Sequence, residues 1–134
     1  MKIKVLLAIV VIILFQSCTK ERDYQSVVIY KNKSSYTIRI VSDIPLIDIT
    51  ISAGQEFSAS KSGDGSFAGN FLYTKNATIY YGSDVSQIHH QEEGYKYNNV
   101  CNLNAYVRSE NGRKEIFEFV FTDADYEYAK NRSI

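Results

Sequence analysis

The chain has 134 residues, and its 15 Lys and Arg balance 15 Asp and Glu to a formal net charge of zero. That balance leaves no basic stripe to follow a phosphate backbone, so nucleic acid is not an expected partner. The length suits one ordinary domain and is too short for two.

In chain order, Lys2 and Lys4 precede Val5 to Phe15, an unbroken apolar run of 11 residues. A spanning helix needs about 20 such residues, so residues 1–17 read as a signal peptide that is removed. The run ends in Phe15-Gln16-Ser17-Cys18, with the cysteine at the junction. This resembles the lipobox of bacterial lipoproteins, and its bulky Phe15 and Gln16 are similar to signals of Bacteroidota envelope lipoproteins. The resemblance implies that Cys18 carries a diacylglyceryl group (palmitate-type chains) on sulfur, becomes the first residue and is acylated on its amine. Two or more chains anchor stably where one binds marginally. The implied location is the bacterial outer membrane, on its surface or periplasmic face. Lys20, Glu21 and Asp23 resemble the charged export signals of surface-displayed lipoproteins.

Residues 18–25 read as the lipidated cysteine and a polar tether, and residues 26–134 as one β domain. The mature chain retains 13 basic and 15 acidic residues. With Cys18 acylated, Cys101 is the sole thiol and no internal disulfide forms. Val, Ile, Thr, Tyr and Phe dominate without helical spacing, which is strand composition.

Val27 to Tyr30 opens the domain, and KNKSS supplies a turn. Tyr36 to Val41 alternates, with Ile38 and Ile40 on one face; Asp43-Ile44-Pro45 interrupts it. Leu46 to Ser52 alternates again, with Ile47, Ile49 and Ile51 inward. A weaker strand is expected around Phe57 and Ala59, then the loop KSGDGSFAGN, with Asp64-Gly65 as a turn. Strands are expected near Phe71 to Tyr73 and Thr78 to Tyr81. A hairpin of residues 101–108 and 114–121 flanks SENGR. A two-residue Asn111-Gly112 loop and a three-residue Glu110-Asn111-Gly112 loop differ by one residue of register, which reverses every face. Apolar matching favours the longer loop: Cys101, Leu103, Ala105 and Val107 then share a face with Glu115, Phe117, Phe119 and Phe121. Asn102, Asn104, Tyr106 and Arg108 are left in water.

Thr122 can cap a helix of one or two turns, Asp123 and Asp125 suit its N-terminal end, and Tyr126 and Ala129 are placed to dock it. The segment FEFVFTDADYEYA resembles the ending of many small Bacteroidota lipoproteins, a likeness that carries no activity. The expected fold is all-β: an antiparallel sandwich of seven or eight short strands with a short C-terminal helix, or alternatively a small barrel.

The candidate chemistry is sparse. His89, His90, Glu92 and Glu93 form the cluster nearest to a metal site, yet adjacent histidines in a strand point to opposite faces, and the zinc-protease spacing of i and i+4 is missing. A solvated loop is the simpler account. Cys101 reads as a small buried hydrophobe, no nucleophile elbow is present, and no cofactor is implied. Tyr80, Tyr81, Tyr95 and Tyr97 gather around the polar stretch GSDVSQIHHQEEGYKYNN, and tyrosines suit contact with proteins or sugars. The reading is a non-enzymatic, lipid-anchored binding or structural module with a protein or glycan partner. The alternatives are a small hydrolase or metal-dependent enzyme built on His89, His90, Glu92 and Glu93, and an inhibitor or accessory subunit of an envelope complex.

Overall fold

The alternating isoleucines between residues 38 and 51 become two adjacent strands, Ile38 opposite Ile51 and Ile40 opposite Ile49, with all four side chains buried. The computed structural model describes residues 23–65 and 68–132. The expected signal peptide, the expected lipidation site Cys18 and the first part of the expected tether lie outside the described residues.

Among the described residues eight strands follow in order: β1 (Asp23–Asn32), β2 (Ile38–Asp43), β3 (Leu46–Ile51), β4 (Glu56–Asp64), β5 (Asn76–Tyr81), β6 (Val85–His90), β7 (Val107–Asn111) and β8 (Lys114–Phe121). The helix α1 (Asp123–Arg132) ends the described chain. One sheet has the order β4-β1-β8-β7 and the other β3-β2-β5-β6. The two sheets remain separate, so the fold is a β-sandwich and not a barrel.

All pairs are antiparallel except one: β1 and β8 run parallel, Val28 beside Phe117 and Tyr30 beside Phe119. Parallel neighbours need a long connection, and here nearly the whole domain supplies it. The first and last strands are therefore zipped together at the centre of their sheet.

The inward faces meet in one core. Tyr30, Tyr81, Phe119 and Phe121 are its largest fully buried side chains, with Ile38, Ile40 and Ile79 between them. Burying each such side chain contributes about 1.5–3 kcal/mol. Asn32, 1% exposed, ties the sheets at one end. Its amide nitrogen donates to the Ile51 carbonyl at 2.9 Å and the Tyr36 carbonyl at 2.7 Å, while its oxygen accepts from the Ser34 backbone and hydroxyl. A buried amide is tolerated because its hydrogen bonds are made.

The structure departs from the expected elements in several places. β1 begins at Asp23, so Asp23 to Gln25 pair with Asp64 to Ser62 and are strand, not tether. Phe71 and Leu72 form a turn; their half-buried side chains pack on the core without a strand. The stretch around His89 and His90 is strand β6 followed by a 3-10 turn, Gln91–Glu93, not a solvated loop.

The final hairpin differs most. Asn111 pairs with Lys114 and Arg108 with Phe117, leaving a two-residue loop, Gly112-Arg113. Gly112 has φ 61°, the positive value that primed hairpin turns require at their first central residue. The shift from the expected register is an odd number of residues, so the faces exchange. Tyr106 is buried with its ring 5.2 Å from that of Phe119, whereas Val107 is 67% exposed. Arg108 lands on the face of Phe117 and makes an ion pair with Glu115, whose carboxylate is 2% exposed. Cys101 and Leu103 lie in the loop that precedes β7, in and beside a short 3-10 turn, Leu103–Ala105, and not in the strand.

Helix α1 runs to ten residues, longer than expected. Asp125 reaches back to accept from the Thr122 backbone N–H at 2.7 Å, the return half of a capping box. Tyr126 stacks on Tyr36 with ring centroids 3.8 Å apart, and Ala129 is fully buried. Both side chains dock the helix as expected. Among the described residues no helix is long and apolar enough to cross a membrane.

Candidate functional site

Alternation along β5 separates the first two candidate tyrosines. Tyr80 points out, 39% exposed, with the Arg39 guanidinium 5.8 Å from its ring centroid. Tyr81 points in, 1% exposed, and meets Tyr126 edge to face. Tyr95 is 79% exposed, just after Gly94, whose φ is 55°. Tyr97 is half-buried against His89 and Tyr128, and its hydroxyl donates to Glu93 Oε2 at 2.5 Å. Burial and that hydrogen bond raise its phenol well above the ordinary range. Tyr80 and Tyr95 are thus available at the surface, while Tyr81 and Tyr97 hold the fold.

The histidine and carboxylate cluster diverges. His89 is fully buried, and its Nδ1 accepts from the Val100 backbone N–H at 3.1 Å. The ring proton therefore sits on Nε2, which has no hydrogen-bond partner. Burial, aided by His90, lowers the His89 pKa to about 3, so the ring is neutral at pH 7. His90 points out, its Nδ1 2.7 Å from Asn76 Oδ1. Glu92 is exposed and Glu93 is engaged by Tyr97. Among the described residues no three His, Cys, Asp or Glu side chains converge to hold a metal ion.

Cys101 is fully buried beside the same strand, and its thiol donates to the His89 carbonyl at 3.4 Å. Burial pushes its pKa up to about 12. A nucleophilic thiol needs a lowered pKa and an accepting base; this pair is shifted in the opposite sense on both counts. Together His89, Asn99 and Cys101 pin residues 99–101 to β6: Asn99 Nδ2 donates to the His90 carbonyl at 2.7 Å.

An open cleft of about 600 Å³ lies on the outer face of the β3-β2-β5-β6 sheet. Val41, Thr78 and Ile88 stand side by side across three strands and form its floor. The β2–β3 hairpin tip, Ile44-Pro45, makes one wall, and Tyr73 with Thr74 makes the other. Thr74 Oγ1 lies 2.9 Å from the Ile44 carbonyl and 2.7 Å from Ser42 Oγ, so both walls are fixed to each other. Ile44 and Leu46 are each 85% exposed and Ile88 is 57% exposed. Pockets of this size, apolar with a few polar groups, are where small ligands and side chains bind.

No family model, curated protein or solved structure matches the chain. The cleft therefore stands as a candidate site on its own geometry alone. Sequence reasoning missed the cleft, although the residue next to its Ile44-Pro45 wall carried a signal: Leu46 is the one apolar residue among the outward positions of β3, beside Asp48 and Thr50. Ile88 was hidden because its strand was not recognised.

Proposed function

We propose that the chain is a lipid-anchored protein of the bacterial outer membrane whose β-sandwich is a non-catalytic binding module. The anchor rests on the sequence Phe15-Gln16-Ser17-Cys18 after a short apolar run. The observation that carries the binding role is the cleft over Val41, Thr78 and Ile88, an exposed apolar surface on a rigid sheet. Tyr80 and Arg39 extend it along the same face, one row further up the strands. A flat or branched apolar group of a protein or small-molecule partner fits this surface. Glycan recognition has less support, since Tyr97 is engaged within the fold and Tyr95 stands alone. The inward His89, the protonated Cys101 and the diverging carboxylates argue against the hydrolase and metal-enzyme alternatives.

Photo-crosslinking in the producing cell tests this assignment. A benzoylphenylalanine at Ile88 is expected to capture one discrete envelope component, and the same residue at Ser60, outward on β4 of the other sheet, is expected to capture none. Capture equal at both positions, or absent at Ile88, would remove the cleft as the contact site.

A further inference from the structure

The sandwich has two ends, and hydrogen bonds assign each strand terminus to one of them. Asn32, the last residue of β1, donates to the carbonyl of Ile51, the last residue of β3. Those two termini share one end, and Asp23 and Leu46 point toward the other. β1 has ten residues and β3 six, so Asp23 and its partner Asp64 reach about 10 Å beyond the Asp43-to-Leu46 hairpin tip, and a tilt toward the β3-β2-β5-β6 sheet brings the tip to a bilayer on that side. Only four residues, Thr19 to Arg22, separate Asp23 from Cys18. At 3.3–3.6 Å per residue the distance from Cys18 to Asp23 is at most about 18 Å. An anchor at Cys18 therefore holds this end, and not the Asn32 end, next to the bilayer.

We propose that Ile44-Pro45-Leu46 is a membrane foot: its aliphatic side chains enter the interfacial layer of the bilayer to which Cys18 ties the chain. This rests on the reading of Cys18 as lipidated. Three consecutive apolar residues project from the tip, Ile44 and Leu46 each at 85% exposure, where water would otherwise be expected to select polar residues. A tip that enters the headgroup boundary removes that surface from water. Lys75, Arg113 and Lys114 lie at this end among headgroup phosphates, but Asp23 and Asp43 lie there too, so the aliphatic contact and not net charge carries the docking. The cleft then opens beside the membrane surface, through its Ile44 wall.

The test uses the full mature lipoprotein, isolated from producing cells and reconstituted in vesicles of phosphatidylethanolamine and phosphatidylglycerol. Leu46→Cys, labelled with an environment-sensitive fluorophore, is compared with Ser83→Cys at the far end; the buried Cys101 stays unlabelled. The expected result is a blue-shifted emission at position 46 that spin-labelled lipids quench, with unshifted, unquenched emission at position 83. Emission at 46 that stays water-like, or that shifts without lipid quenching because a protein covers the tip, overturns the foot. The mass of the N-terminal peptide is read on the same sample. Acylated protein with a water-exposed probe overturns the foot and leaves the anchor standing. Unacylated protein that fails to bind vesicles overturns the anchor, and the foot with it.

Discussion

Replacing Phe119 with alanine is expected to destabilise the fold by about 3–5 kcal/mol, the cost of a large aromatic lost from a core that cannot close around the gap. Phe119 is fully buried at the centre of an aromatic cluster: Phe121 at 4.8 Å, Tyr106 at 5.2 Å and Tyr30 at 6.3 Å between ring centroids. It comes from β8, Tyr30 from the parallel β1, and Tyr106 from the residue before β7, so the cluster joins the last hairpin to a strand far away in sequence. Tyr106 also donates its hydroxyl to the Val100 carbonyl at 2.8 Å, which ties the preceding loop to the same cluster. The hairpin register makes a companion claim within the same urea-denaturation series. Tyr106→Ala should approach the cost of Phe119→Ala, while Val107→Ala should change stability by less than about 0.5 kcal/mol, as an exposed position does. Equal costs at 106 and 107 would mean that the pairing of Arg108 with Phe117 is wrong, and a loss below about 1 kcal/mol at 119 would mean that Phe119 does not sit in a closed core.

Acidification is expected to weaken the fold through His89. The folded pKa, near 3, lies below the ordinary value of 6.5 because burial penalises the charged ring. Between those values the unfolded chain binds the proton and the folded one does not, so stability falls as the pH drops through this window. The linked loss is about 2 kcal/mol by pH 5 and roughly 4 kcal/mol by pH 3.5. Asp125 acts in the opposite sense: burial raises its carboxyl, so it takes up a proton more readily folded than unfolded as the pH falls. His89→Asn keeps an acceptor for the Val100 N–H and removes the titration. That variant is expected to be less stable at pH 7 but to lose most of the decline between pH 6.5 and 3.5. An unchanged slope in His89→Asn would show that other groups set the acid limb.

The two predictions draw on different kinds of information. Strands β2 and β3 were legible because Ile38, Ile40, Ile47, Ile49 and Ile51 alternate with Arg39, Asp48 and Thr50, and both cross-strand rows are local to one hairpin. β6 was not, because its inward positions are Val85, Gln87 and His89, and a half-buried Gln and a neutral buried His carry no apolar pattern. The last hairpin failed for the converse reason. Cys101, Leu103, Ala105 and Val107 alternate by chance: Cys101 is buried by the loop, while Leu103 and Val107 are exposed. Counting them as one strand face shifted the register.

Glu115 carried a signal that apolar matching passed over. A carboxylate among inward phenylalanines needs a partner; the observed register brings Arg108 to it, and the register with a Glu110-Asn111-Gly112 loop does not. Neighbours such as β1 and β8 depend on tertiary packing, and no local signal in either strand announces them. The cleft follows the same division: its apolar Ile44 is visible in the sequence, but its apposition to Ile88 and Tyr73 appears only once the strands are ordered.

In the proposed reading, an anchor at Cys18 sets which end of the sandwich faces the membrane and accounts for the exposed apolar tip. Mass spectrometry of the N-terminal peptide from envelope-extracted protein tests it most directly. The expected spectrum shows a chain that starts at Cys18, carrying a diacylglyceryl thioether and an acylated amine. A mature chain recovered without lipid, or starting at any other residue, would contradict it.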